Sequence, residues 1–190
     1  MALREVLQFP DPRLKRVSEP IREMDEALRE LARDLCQVMY DEPGIGLAAP
    51  QVGEAVRMIV VDTEWTKEDE DEEAVPAERN PLVVVNPEIV HREGVIVWNE
   101  GCLSVPDFAA DVERAERVTL HGTNLDGKDV HEQAEGLRAV CFQHEIDHLD
   151  GILFIDRISR LKRSLYVKKR KKQLREEEEE GQDRARGHGL

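Results

Sequence analysis

Cysteine is scarce in this chain. Only Cys36, Cys102 and Cys141 occur, too few and odd in number for a disulfide framework, so a reducing compartment, the cytoplasm, is expected. Aromatic residues make up only 4%, which leaves aliphatic side chains to build the core. No stretch approaches the roughly 20 apolar residues of a membrane-spanning helix, and no membrane partner is expected. The opening Met1-Ala2-Leu3-Arg4-Glu5-Val6 lacks an apolar run followed by a small-residue cleavage site, so no signal peptide is expected. Positive charge is in the minority, with 27 Lys and Arg against 41 Asp and Glu and a net charge of −14. That balance argues against coating of nucleic acid, and no DNA partner is expected.

What is present suits one globular domain: 190 residues, of which 40% are hydrophobic. Charge is segregated along the chain. Residues 64–78 hold eight acids and one lysine, a run that repels itself and reads as a solvated loop. Residues 157–175 carry ten Lys and Arg and no acid, and Glu176–Glu180 then reverse the sign. Residues 181–190 contain three glycines and one large apolar residue, Leu190, a composition that suggests disorder. The compact domain is expected at residues 1–165, with 166–190 as a charged helix or tail.

Ile21, Met24, Leu28, Leu31, Leu35 and Met39 recur every three or four residues, which predicts an amphipathic helix over about 21–40, stopped by Pro43-Gly44. Arg57–Asp62 reads as a buried strand. Leu82–Asn86 and Glu88–Val90 read as strands interrupted at Pro87, and Val95–Trp98 and Val118–His121 are also strand-like. Asn124-Leu125-Asp126-Gly127 is a turn between two arms of a hairpin. Residues 137–149 return to a helical pattern, and the whole order points to an α+β fold.

Within that last helix, His144-Glu145-Ile146-Asp147-His148 has the form H-E-x-x-H. Residues i and i+4 share a helix face, so both imidazoles can address one ion. Glu145 follows the first ligand, where its carboxylate can take a proton from water that the ion acidifies. A catalytic site of this kind needs a third protein ligand and one open position. The other histidines, the cysteines and the carboxylates are all candidates; Cys102, at a strand end in Glu100-Gly101-Cys102-Leu103-Ser104, offers a thiolate. Cys36 and Cys141 sit on apolar helix faces, and His91, His121 and His131 read as surface histidines. Gly44-Ile45-Gly46-Leu47-Ala48-Ala49-Pro50-Gln51 allows close backbone approach and presents an amide, Gln51, that could donate to a developing oxyanion. It has neither of the glycine patterns of a phosphate loop.

Taken together, the segments Gly44–Gln51, Glu100–Ser104 and Gln143–His148 resemble the three ordered motifs of the peptide deformylase family, and Phe9-Pro10-Asp11-Pro12-Arg13-Leu14 resembles its opening. The resemblance covers about residues 5–156. It implies an α+β peptide deformylase-like fold, with antiparallel sheets around a central helix that carries H-E-x-x-H. It implies Cys102, His144 and His148 as ligands of one divalent ion per chain, usually Fe(II), with Zn(II), Ni(II) or Co(II) as substitutes. Glu145 would be general base and then general acid, while the Gln51 side chain and the Leu103 backbone N–H would hold the oxyanion. The implied reaction removes the formyl group from the formyl-methionine of newly made polypeptides and releases formate.

Ile45, Gly46, Leu137, Val140 and Cys141 are expected to form the substrate pocket, Gly46 through its backbone and the others around the methionine side chain. Asp147 is expected to orient an imidazole, and Glu100 with Arg114 to form a supporting ion pair. Two features depart from the family's pattern: the length of the acidic insertion, and the absence of a basic residue in Val105-Pro106-Asp107-Phe108-Ala109-Ala110. The basic segment 157–175 is a candidate ribosome contact. An H-E-x-x-H zinc endopeptidase is the alternative reading.

Overall fold

A computed structural model describes residues 4–65 and 79–187. By its contacts the chain divides into two units, Met1–Phe154 and Ile155–Leu190. The first holds a five-stranded antiparallel sheet of β1 (Gly46–Ala48), β2 (Met58–Val61), β3 (Leu82–Glu93), β6 (Arg117–Thr123) and β7 (Asp129–Glu135), in the order β1-β2-β3-β6-β7. A separate two-stranded ribbon pairs β4 (Ile96–Cys102) with β5 (Val105–Arg114). Helix α1 spans Glu26–Asp41 and α2 spans Gly136–Leu149.

The sheet is covered on both faces, and β2 reports this directly because all four of its residues are buried. Successive strand residues point to opposite faces. Met58 and Val60 join Leu47 and Val85 against Leu31, Leu35 and Met39 of α1. Ile59 and Val61 join Val84, Val118 and Leu120 against Phe142, Ile146 and Leu149 of α2. Every residue of α2 from Ala139 to Leu149 is buried. A helix enclosed on all sides cannot be amphipathic, and the polar residues it carries must find partners inside the fold. This is the central helix that the resemblance implied.

Several elements differ from the sequence reading. Helix α1 begins at Glu26, not near Ile21, because Asp25 caps it by accepting from the Leu28 N–H at 2.8 Å. Ile21 is instead gripped by Asn86, whose side chain accepts from the Ile21 N–H and donates to its carbonyl, each at 2.8 Å. The strand expected to break at Pro87 runs unbroken to Glu93; a register shift between Val85 and Glu88 absorbs the proline, with Asn86 at φ +50°. Strand β5 has no counterpart in the sequence reading.

Of the acidic segment, residues 66–78 lie outside the described residues. Of its two described residues, Glu64 is exposed while Trp65 is buried edge-on against Tyr40, with ring centroids 5.0 Å apart. Asp62 accepts from the Tyr40 hydroxyl and from the backbone N–H of Trp65 and Asn80. In the second unit, α3 spans Arg160–Gly187, so residues 181–187 are helical where their composition suggested disorder. The reversal from basic to acidic sequence favours this continuation, since it sets Lys172 against Glu176 one turn on, at 3.3 Å. No described helix is long and apolar enough to cross a membrane.

Candidate metal centre

Cys102 ends β4, and His144 and His148 lie one turn apart on α2. Their ligand atoms all fall within 4.8 Å of one another, the one such group of His, Cys, Asp and Glu among the described residues. Cys102 Sγ stands 3.2 Å from His148 Nε2. The register of the ribbon explains how the cysteine reaches this position. Gly101 pairs with Ala109, whereas Cys102 pairs with Val105, so the ladder shifts at the ligand itself.

A chain of buried charges sets the orientation of His144. Its Nδ1–H donates to Glu100 Oε2 at 2.7 Å, which leaves Nε2 to face the cluster. Arg114 grips the same carboxylate with two N–H groups, at 2.7 and 3.0 Å, and extends a third to Asp147 at 2.6 Å. Burial alone would raise the Glu100 pKa; the hydrogen bonds from Arg114 and His144 outweigh it and hold the carboxyl at about 2. Glu100 is thus the orienting carboxylate that the sequence reading sought in Asp147, while Asp147 braces Arg114. The Phe154 ring stacks on His144, with centroids 6.2 Å apart.

His148 is pushed well below the usual imidazole range by burial and by neighbouring His144, which keeps a nitrogen lone pair available for a cation. Its Nδ1 is buried and has no hydrogen-bond partner among the described residues, and the same holds for Glu145 Oε2. Burial drives the Glu145 carboxyl up to about 7. Both orphaned atoms lie beside a thiol–imidazole donor set, and the group as a whole fits one borderline divalent cation with a base next to it.

Gln51 belongs to the short 3₁₀ turn Ala49–Val52 and is buried. Its Oε1 accepts from the Ala48 N–H at 2.8 Å, so its NH₂ must point the other way. That NH₂ lies 3.2 Å from Ser104 Oγ and 3.7 Å from Cys102 Sγ. The N-terminal segment ties both neighbours down: Leu7 N–H donates to the Gln51 carbonyl at 2.7 Å, and Phe9 N–H to that of Ser104 at 2.8 Å.

These groups open onto a cleft of about 560 Å³, lined by Gln51, Glu100, Cys102, Leu103, His144 and Glu145. Ile45, Gly46, Leu137, Val140 and Cys141 line it too, so the residues expected to form a pocket share one cavity. Gly46 is required sterically: a Cβ there would lie 2.5 Å from Glu145 Oε1 and 2.7 Å from Cys141 Sγ. Cys141 Sγ approaches the Ile45 carbonyl at 3.6 Å, and burial beside Glu145 holds its thiol protonated. His121 and His131 are exposed, as expected of surface histidines. The Asn99–Asp111 hydrogen bond and the Pro106–Phe108 segment, none of which the sequence reading assigned to the site, lie along or beside the cleft wall.

The sequence matches the family model described as polypeptide deformylase over residues 3–164. It is 51% identical over 173 residues to a peptide deformylase of Mesorhizobium japonicum, covering 90% of this chain and 93% of the relative. With a peptide deformylase of Alkalilimnicola ehrlichii it shares 47% identity over 176 residues, 93% of each chain. The fold is similar to a crystal structure of a peptide deformylase from Legionella pneumophila, with a TM-score of 0.81 and 41% identity over 93% of this chain and 98% of that one.

Proposed function

The chain belongs to the polypeptide deformylase family, and from that premise we propose how its residues divide the work. The activity is hydrolysis of the N-terminal formyl group from newly made polypeptides, and the protein is a hydrolase of N-terminal processing. The endopeptidase alternative is not favoured, because the family match extends over nearly all of the first unit.

The observation that carries the assignment of roles is the convergence of Cys102, His144 and His148 beside Glu145. These three residues would hold the metal. The ion we assign is Fe(II), with Zn(II), Ni(II) or Co(II) as substitutes that the same sulfur and nitrogen donors accept. When bound, a divalent cation supplies Lewis-acid polarisation of the formyl carbonyl and acidifies a water. Glu145 takes the proton from the attacking water and returns it to the departing amine, roles that a carboxyl with a pKa near neutrality can alternate between. The Gln51 NH₂, aimed by its bond from Ala48, and the Leu103 backbone N–H donate to the carbonyl oxygen as it gains charge. Gly46 offers backbone to the peptide in the manner of an added strand. Ile45, Leu137, Val140 and Cys141 receive the methionine side chain.

We assign residues 1–165 as the catalytic domain and the cytoplasm as its compartment, in keeping with a nascent-chain substrate. Residues 157–175, with ten cations and no acid, we assign as a ribosome contact made through phosphates. Co-sedimentation with ribosomes at low salt should be lost on truncation after Ile158; unchanged co-sedimentation removes that assignment.

The test of the function is formate release from formyl-Met-Ala-Ser by metal-loaded protein. Release should stop in the Glu145→Ala variant and on chelation, and an unformylated peptide should not be cleaved. Cleavage of the unformylated peptide without formate release would overturn the reading.

A further inference from the structure

The register shift that delivers Cys102 has a counterpart on the opposite strand. Between Val105, which pairs with Cys102, and Ala109, which pairs with Gly101, the register of the ladder skips Pro106, Asp107 and Phe108. They form a bulge, a device that re-aims side chains next to active sites. All three line the cleft. Phe108 is anchored, stacked on Phe154 with centroids 5.9 Å apart. Asp107 takes a left-handed conformation, φ +56°, that few residues other than glycine adopt, and its side chain is exposed. It has no hydrogen-bond or ion-pair partner among the described residues.

The electrostatic setting makes that carboxylate informative. Apart from Asp107, the ionisable residues lining the cleft are Glu100, Cys102, Cys141, His144 and Glu145, all committed to the metal cluster, its support or its immediate wall. Among the described residues no lysine or arginine lines it. Among the described residues the outer cleft therefore presents one unpaired negative charge and no positive one.

Resting on the deformylase reading, we propose that Asp107 is a specificity-determining residue that selects peptides with a cationic side chain at one of the two positions following the formyl-methionine and disfavours acidic ones. The bulge holds the carboxylate at the wall of the channel through which the rest of the peptide must leave, while the metal-side end of the cleft handles the formyl group alone. Attraction of a lysine and repulsion of a glutamate act in the same direction on the ratio of their rates. For a solvent-exposed charge the two together amount to about fivefold, and the effect is screened by salt.

The experiment uses metal-loaded full-length protein and two series of C-terminally amidated peptides, formyl-Met-Xaa-Ser and formyl-Met-Ala-Xaa, with Xaa as Lys, Ala or Glu. The expected result is a Lys-to-Glu ratio in kcat/KM of about fivefold or more in at least one series at low ionic strength, carried by KM. It should shrink in about 0.5 M salt, fall to within about twofold in Asp107→Asn, and invert in Asp107→Lys. A wild-type ratio within about twofold in both series overturns the proposal. So does a wild-type preference that persists in Asp107→Asn, the result expected if Asp107 only shapes the bulge and lowers all rates together. If no formylated peptide releases formate, the alanine peptide included, the deformylase reading fails and this proposal with it; charge-indifferent release contradicts the proposal alone.

Discussion

Glu100 and His144 are 44 positions apart in sequence and joined by a 2.7 Å hydrogen bond in the core, so the ring that would bind the metal is aimed by a carboxylate from a different element. Removal of that carboxylate should therefore be felt at the metal before it is felt in the chemistry. Glu100→Gln is expected to weaken metal affinity by about 10- to 100-fold, measured by competition with a chromophoric chelator. Activity of the variant should recover in part with excess metal.

The same carboxylate makes a pH-dependent contribution to stability. Its folded pKa of about 2 lies below the ordinary value of 4.5, so the contribution is complete above pH 4.5 and is lost as pH falls towards 2. Its size is on the order of 3 kcal/mol. In chemical denaturation of metal-free protein, the stability gap between wild type and Glu100→Gln should be widest above pH 5 and narrow steadily below it. A gap independent of pH would contradict the ion-pair account.

Glu145 behaves in the opposite sense. Burial raises its pKa to about 7, so ionising it opposes folding increasingly from pH 4.5 up to about 7 and by a constant amount above. Glu145→Gln should accordingly abolish formate release while stabilising the metal-free protein at pH 8, by up to roughly 3 kcal/mol. Thermal denaturation of chelator-treated samples at pH 5 and pH 8 checks the sign: the gain should be small at pH 5 and much larger at pH 8.

Gly46→Ala tests the steric fit between β1 and α2. The added methyl would press on Glu145 and Cys141, so one or both side chains must shift. Loss of about 1–3 kcal/mol in stability is expected, with kcat reduced at least tenfold because the displaced group is the base itself. Metal content, set by Cys102, His144 and His148, should stay near one per chain.

The arrangement of the cluster was largely legible in the sequence, because its information is local. The i, i+4 spacing of His144 and His148 and the place of Glu145 between them follow from short-range periodicity, whereas Cys102 was one candidate among several until the resemblance of the three motifs singled it out. What escaped was long-range. Asp147 lies inside the motif and looks like the natural orienting group, but Glu100 fills that role across 44 residues and Asp147 serves Arg114 instead. Strand β5 was missed because its ladder is interrupted by the Pro106–Phe108 bulge and its alternation is broken at Ala109, an apolar residue facing outward, and at Arg114, a charged one facing inward. Ile21 and Met24 fit the helical period of α1 yet precede it, since Asn86 captures Ile21 and Asp25 sets the cap. Tertiary hydrogen bonds overrode local pattern in each case.

X-ray absorption at the metal edge of loaded protein tests the central claim most directly. The account predicts one sulfur at about 2.3 Å and two imidazole nitrogens at about 2.0–2.1 Å for a zinc-loaded sample, with the sulfur shell absent in Cys102→Ala. A wild-type spectrum with no sulfur shell, or one that keeps it in Cys102→Ala, would contradict the account.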